Sequence, residues 1–280
     1  MLQVETTIRK SRLDKEGVDM SLGAITIAKR ELKSLIVSPI LYVVGGIYAL
    51  LLGYQFLQSL IFFDAQLQQA KVQAQLMKNP DALQGISLNE LLIGAVINFG
   101  FFLLLFSVPA ITMRLLSEEK NQGTYELLAT SPLSSWELVL GKFLAGVGFI
   151  VLLLVTHALF LGIMFGYGNP EVLPVISGYI GFILGGAALV AVGLFSSSLT
   201  RIQIVAYFIG LFINIVLLQL ANGARSTSGN LSEFLSKASI TMNFEQFNRG
   251  IVSVSGVVYF VTLTIFFLAA TRIAVQSMKR

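Results

Sequence analysis

The sequence predicts an all-α polytopic membrane protein: six transmembrane helices preceded by an interfacial helix, with a short further helix in the loop after the second span. Three observations lead there. Of 280 residues, 55% are hydrophobic and 12% charged, whereas soluble domains carry about 25% charged residues. The apolar residues fall in unbroken blocks that reach the roughly 20 residues a helix needs to cross a bilayer. Lysine and arginine are also shared unevenly among the segments that join those blocks.

Residues 1–20 are charged, lack apolar periodicity and read as a tail. Over 21–38 the pattern changes: Ile25, Ala28, Leu32 and Leu35 share one helical face while Lys29, Arg30 and Lys33 share another, as in a helix lying flat on a membrane. The plainer alternative is that these cations only enforce topology. Residues 39–276 then form the membrane domain, with spans at 39–63, 91–113, 138–165, 172–196, 202–221 and 254–273. The first 38 residues are too polar for a cleaved signal peptide.

An even number of spans leaves both termini on one side. That side holds fourteen Lys and Arg, in 1–38, 112–142, Arg201 and the tail from Arg272; the other side holds five, in the loops 64–90 and 223–253. The positive-inside rule therefore puts both termini in the cytoplasm. Phe56, Leu60, Phe63, Leu67, Ala70, Ala74 and Met77 form a heptad stripe that carries the first helix outward as far as Asn79-Pro80. Ordinary packing on a neighbouring helix would produce the same stripe. The external segment 223–250, with Phe234, Leu235, Phe244 and Phe247 among polar residues, reads as short helices or a re-entrant turn.

Inside the span ends the apolar cores contain no Asp, Glu, Lys or Arg; Lys142 at the entrance of span three and Arg272 near the end of span six are close enough to an end to snorkel. Carriers coupled to protons or sodium keep ionisable groups at membrane depth, so the driving energy here comes from elsewhere. Polar groups in the spans are limited to residues such as Gln55, Gln58, Asn98, His157, Asn214 and Gln219, of which Asn98, His157 and Asn214 are candidates to line a pathway. His157 is the only histidine, has no second metal ligand at helical spacing, and lies far in sequence from Ser196, Ser197 and Ser198. Neither a metal site nor an intramembrane hydrolase is indicated. With no cysteine there is no disulfide framework. Gly178, Gly181, Gly185 and Ala188 in span four, and Gly141, Ala145 and Gly148 in span three, make small-residue stripes for close packing.

The loop 114–137 is the most informative stretch. Arg114 to Lys120 make a charged exit and Gly123 a break. A short helix follows from Thr124 with Glu126 in its first turn, Ser131-Pro132 stop it, and Ser134 or Ser135 caps the next helix. Tyr125 and Leu128 offer a knob to a groove on a soluble partner, though a capped loop without a partner fits equally. The run Glu118-Glu119-Lys120, Gly123-Thr124, Glu126-Leu127-Leu128, Ser131-Pro132 and Glu137 to Lys142 resembles the coupling-helix segment of ABC-2 type permeases. Lys29-Arg30-Glu31-Leu32 to Ser38-Pro39, Ser198 to Gln203, and Phe244 to Gly250 extend the resemblance over most of 21–275. Within the family it is most similar to the permeases associated with gliding motility and copper-enzyme maturation.

The resemblance implies a permease subunit of an ATP-driven exporter in the bacterial cytoplasmic membrane, a dimer around a central pathway with a separate ATPase below. The second subunit would be another copy or a paralogue, and an extracytoplasmic accessory protein is a further possible partner. It implies that Glu118, Glu119, Gly123, Thr124, Tyr125, Glu126, Leu128 and Pro132 form the coupling element, with Lys29, Arg30 and Lys33 on the interfacial helix. ATP and magnesium would be bound by the partner and no cofactor by this chain. Consistent with that division, no Gly-x-x-x-x-Gly-Lys-Ser/Thr loop is present. An alternative is an ATPase-driven subunit that passes mechanical force to an extracytoplasmic partner without moving a substrate.

Overall fold

The computed structural model describes residues 23–77, 88–123, 134–168 and 170–277, which are helical with no strand among them. Helix α1 covers 23–37 and α2 Pro39–Met77. A π-helical turn, Asn89–Gly94, runs straight into α3, Ala95–Asn121. Then come α4, Ser135–Tyr167, α5, Val172–Leu199, and α6, Gln203–Ser226. The short helices α7, Asn230–Ala238, and α8, Ile240–Asn248, precede α9, Val254–Ser277. Six of these helices are long and apolar enough to cross a membrane, as the sequence predicts. In hydrocarbon every backbone N–H and C=O must find its partner within the protein, and a continuous helix does this without help from its neighbours. The helices outrun the predicted spans, most of all α2, whose 39 residues rise about 58 Å.

Helix α5 is the axle of the bundle and packs against α3, α4, α6, α8 and α9. Two-thirds (67%) of the apolar windows of α3 and α5 are buried, against 17% for α2 and 22% for α6, so the last two lie at the periphery. The small-residue stripe of α5 sets how closely its neighbours approach. A methyl group on Gly181 would fall 2.5 Å from Phe247 of α8, and one on Gly185 2.5 Å from Phe101 of α3. Aromatic rings therefore lie against bare backbone there, a contact that any larger residue at 181 or 185 would push apart.

The segment after α6 is re-entrant. Ser239 caps α8 by accepting from the Met242 N–H, and α8 turns Ile240, Phe244 and Phe247, all fully buried, into the bundle. Phe244 stacks on Phe101 with centroids 3.9 Å apart, and Phe247 packs beside Phe260 of α9. The preceding helix α7 stays at the surface and leaves Phe234 exposed.

Helix α1 carries Lys29, Arg30 and Lys33 on an exposed face. Its buried face is Ala24, Ile27 and Leu35, with Ala28 and Leu32 half-buried, while Ile25 is 45% exposed. The apolar stripe read from the sequence is thus out of register by about one residue at its start. The reason is that α1 rests on protein: Ile27 lies over Gly141 and Leu32 over Gly148 of α4. A Cβ at Gly141 would come within 2.7 Å of Ile27 and 2.9 Å of the Ala24 carbonyl. Gly141→Val should therefore lift α1 from α4 at a cost of about 1–3 kcal/mol, read as a lowered melting temperature in detergent, whereas Gly162→Ala, in open space on the same helix, should leave it unchanged.

Candidate functional site

At the face of the bundle that carries the ends of α1, α3 and α4, one lysine joins all three. Lys142, on the first turns of α4, has a side chain only 1% exposed. Its Nζ donates to Glu119 Oε1 at 2.7 Å and to Glu31 Oε1 at 3.2 Å. Both carboxylates have side chains 15% exposed, so the group is shielded from water and the paired charges offset one another's desolvation. Arg30 flanks it, 3.0 Å from Glu31 and 3.9 Å from Glu119.

A second set of bonds ties the exit of α3 to the hinge between α1 and α2. Arg114 donates to the hydroxyls of Ser38 and Ser34 and lies 3.5 Å from Glu118. On the other flank Ser197 of α5 inserts its hydroxyl into the last turns of α3. It accepts from the N–H groups of Leu116 and Ser117, both at 3.0 Å, and donates to the Met113 carbonyl at 2.9 Å. Lys120 then reaches the Ser198 carbonyl, one of the acceptors that the end of α5 leaves without an intrahelical partner. Helix α3 stops at Gly123, whose φ of +71° suits glycine. Ser134 and Glu137 open α4 with a reciprocal capping box. The termini flanking 124–133 are thus fixed on both sides.

The family model described as ABC-2 family transporter protein matches residues 25–277. The chain belongs to the ABC-2 transporter family. No curated protein matches it significantly. It is accordingly a multi-pass membrane permease of the ABC transporter class, and the joint just described lies at the segment that its resemblance singles out.

In this ABC-2 permease Thr124, Tyr125, Glu126, Leu128 and Pro132 lie outside the described residues. Glu118 is at the surface, 36% exposed. Glu119 faces Lys142 instead, so its carboxylate holds the joint together and offers little to a docking protein. Asn98 is exposed in a polar cleft of about 510 Å³ at the opposite end of the bundle, with Glu90, Glu171 and Asn248. His157 and Asn214, 1% and 0% exposed, line no open space, and the gap beside His157 has no room for a water molecule.

Asn214 has a clear structural task. Pro109, inside α3, lacks the N–H that would bond to the Leu105 carbonyl, and the Asn214 side chain of α6 donates to that oxygen at 3.2 Å. His157 sits between two tyrosines, Nε2 at 2.7 Å from Tyr48 Oη and Nδ1 at 3.3 Å from Tyr179 Oη. A neutral ring protonated on Nε2 satisfies the set: it donates to Tyr48, Tyr48 donates to the Gly100 carbonyl at 3.3 Å, and Tyr179 donates to Nδ1. Arg272 lies over the ring of Trp136 at 4.8 Å, a cation–π contact across α9 and α4. Sequence reasoning missed the Lys142 joint and the Ser197 insertion. The available signal was the need of a lysine at a span entrance for a counter-charge; for Asn214 it was the carbonyl freed four residues before Pro109.

Replacing Lys142 by Met leaves two carboxylates facing each other and should cost about 3 kcal/mol. Thermal unfolding in detergent should show that loss largely recovered when Glu119→Gln and Glu31→Gln are added, a non-additive set. His157→Leu takes the acceptor of the Tyr179 hydroxyl, leaves Tyr48 only the Gly100 carbonyl and should destabilise by about 1–3 kcal/mol, again by thermal unfolding, with His157→Gln losing less.

Proposed function

We propose that this chain is the permease half of an ATP-driven exporter, working as a pair of membrane subunits around a central pathway with a separate ATPase docked beneath each. The observation that carries this is the Lys142 joint in a chain matched along its length to ABC-2 transporters. Residues 118–132 enter the ATPase cleft, and Glu118, Gly123, Thr124, Tyr125, Glu126, Leu128 and Pro132 make the contact. Glu119 acts as the tether between this segment and α1. When two ATPases close on ATP and magnesium, a push on the segment reaches α1 and α4 together, because Glu31, Glu119 and Lys142 share one buried contact. The charge bias supports a cytoplasmic location for this face and for both termini, in the bacterial inner membrane. The exposed apolar flanks of α2 and α6, among them Tyr42, Ile47, Leu50, Phe208 and Phe212, support burial against a second subunit or lipid. Similarity to the gliding-motility and copper-enzyme-maturation permeases gives the closest functional setting.

A second reading rests on α2. Its length of about 58 Å exceeds the roughly 30 Å of hydrocarbon, and Val72 and Leu76 are exposed near its end. That geometry supports force transmission to an extracytoplasmic accessory protein.

The test is co-purification of the tagged permease with its ATPase, followed by ATP hydrolysis in proteoliposomes. Glu126→Ala with Leu128→Ala should lower permease-dependent hydrolysis at least about tenfold, the equivalent of about 1.4 kcal/mol of coupling, with the permease still folded. Full hydrolysis and function with the pair replaced, or with the ATPase removed, would sink the proposal. Bulky replacements at Leu67, Ala70 and Ala74 that abolish function with hydrolysis intact would favour the mechanical reading.

A further inference from the structure

Beside the joint, on the same face, lies a cleft of about 350 Å³ lined by Lys120, Ser198, Leu199, Thr200, Arg201, Ala274 and Ser277. It opens between the end of α3, the α5–α6 turn and the end of α9. Its charge is one-sided: two cations and two hydroxyl groups converge there beside Ser198, and no carboxylate lines it. Among the described residues neither Lys120 nor Arg201 takes part in an ion pair. The other buried or half-buried cations named on this face have counter-charges or an aromatic face: Lys142, Arg114 and Arg272.

Lys120 is the telling residue. It is 9% exposed, and among the described residues its hydrogen bond to the Ser198 carbonyl uses a single proton of an ammonium that carries three. A cation placed this deep without an anion is costly. Among the described residues the Thr200 hydroxyl only accepts, from the Ile202 N–H at 3.1 Å, which leaves its own proton for a ligand. Arg201 supplies a planar guanidinium fork suited to two oxygens of one tetrahedral group. The chain also continues past Ser277 with Lys279 and Arg280. Around the mouth are apolar residues, Leu199, Ile202 and Ile273, exposed at 52%, 59% and 66%, so an acyl chain has a surface to follow.

We infer that this cleft is a binding site for a phosphate group, bridged by Lys120, Thr200 and Arg201, and that an anionic phospholipid headgroup is its occupant. Basic pockets between helices at the cytoplasmic membrane surface have the chemistry to hold such headgroups. The occupant would tie the end of α3 to the α5–α6 turn and the end of α9, supplying from the membrane the anion that the protein does not. The inference does not depend on the ATPase: it concerns binding to the permease alone.

Native mass spectrometry of the full chain released from micelles tests it, with phosphatidylglycerol, phosphatidylcholine and inorganic phosphate as separate probes. Phosphatidylglycerol should be retained in preference to phosphatidylcholine. Arg201→Gln, at an exposed position, should lower that retention about fivefold, the worth of one cation near an anionic lipid surface. Ser277→Glu, which sets a carboxylate on the exposed rim, should lower it as well by an independent route. Lys29→Gln removes the same charge from the same face outside the cleft and should leave retention within about twofold. Retention of inorganic phosphate that is lost in Arg201→Gln, with no preference between the lipids, would keep the site and make its ligand a free phosphate compound. Equal losses from Lys29→Gln and Arg201→Gln, or no selective retention of either phosphate probe, would overturn the inference.

Discussion

The structure turns on a single ammonium group removed from water. Lys142 is 1% exposed and holds Glu31 and Glu119 within 3.2 Å. No charge survives at that burial without partners, and the partners here belong to two other elements. Removing Lys142 would leave two carboxylates facing each other in that pocket, and removing either carboxylate would cut the lysine's link to one of the two other helices. The end of α1, the exit of α3 and the entrance of α4 consequently behave as one body, although 111 residues separate Glu31 from Lys142.

That body is connected to the bundle by backbone acceptors and donors as much as by side-chain charge. The Ser197 hydroxyl lies within the last turns of α3 and bonds to three main-chain groups, so a shift of the α3 exit must carry α5 with it or break those bonds. Helix α5, like α3, in turn touches most of the other elements. A displacement at the membrane surface therefore has a rigid route into the interior. Halfway along α3, Pro109 breaks the hydrogen-bond ladder and Asn214 repairs it from α6, which places the most bendable point of α3 against a helix at the periphery.

Span number, the lopsided distribution of basic residues and the small-residue stripes of α4 and α5 were legible in the sequence, because each depends on properties that composition and local periodicity expose directly. The face of α1 was not fully legible. An apolar count favours Ile25, Ala28, Leu32 and Leu35, since it treats Glu31 as an outward residue; pairing with Lys142 draws Glu31 inward and rotates the buried face to Ala24, Ile27 and Leu35. The pairing of Glu119 was hidden for the same reason, its partner lying 23 positions away on another helix. His157 and Asn214 look like pathway residues in a sequence because polarity in an apolar run carries no address. Only the three-dimensional neighbours, two tyrosines in one case and an orphaned carbonyl in the other, reveal the partners that each has inside the bundle.

The aromatic stack between Phe101 and Phe244 has a consequence for what the molecule prevents. Helix α8 enters the bundle without crossing it, and grease, not salt, holds it in place. Parting those rings would wet three phenyl faces that are now dry, Phe101, Phe244 and Phe247, so thermal fluctuation alone seldom unseats the helix. Among the described residues the bundle is thus dry along the inward face of α8, and any passage for water there must first part these rings.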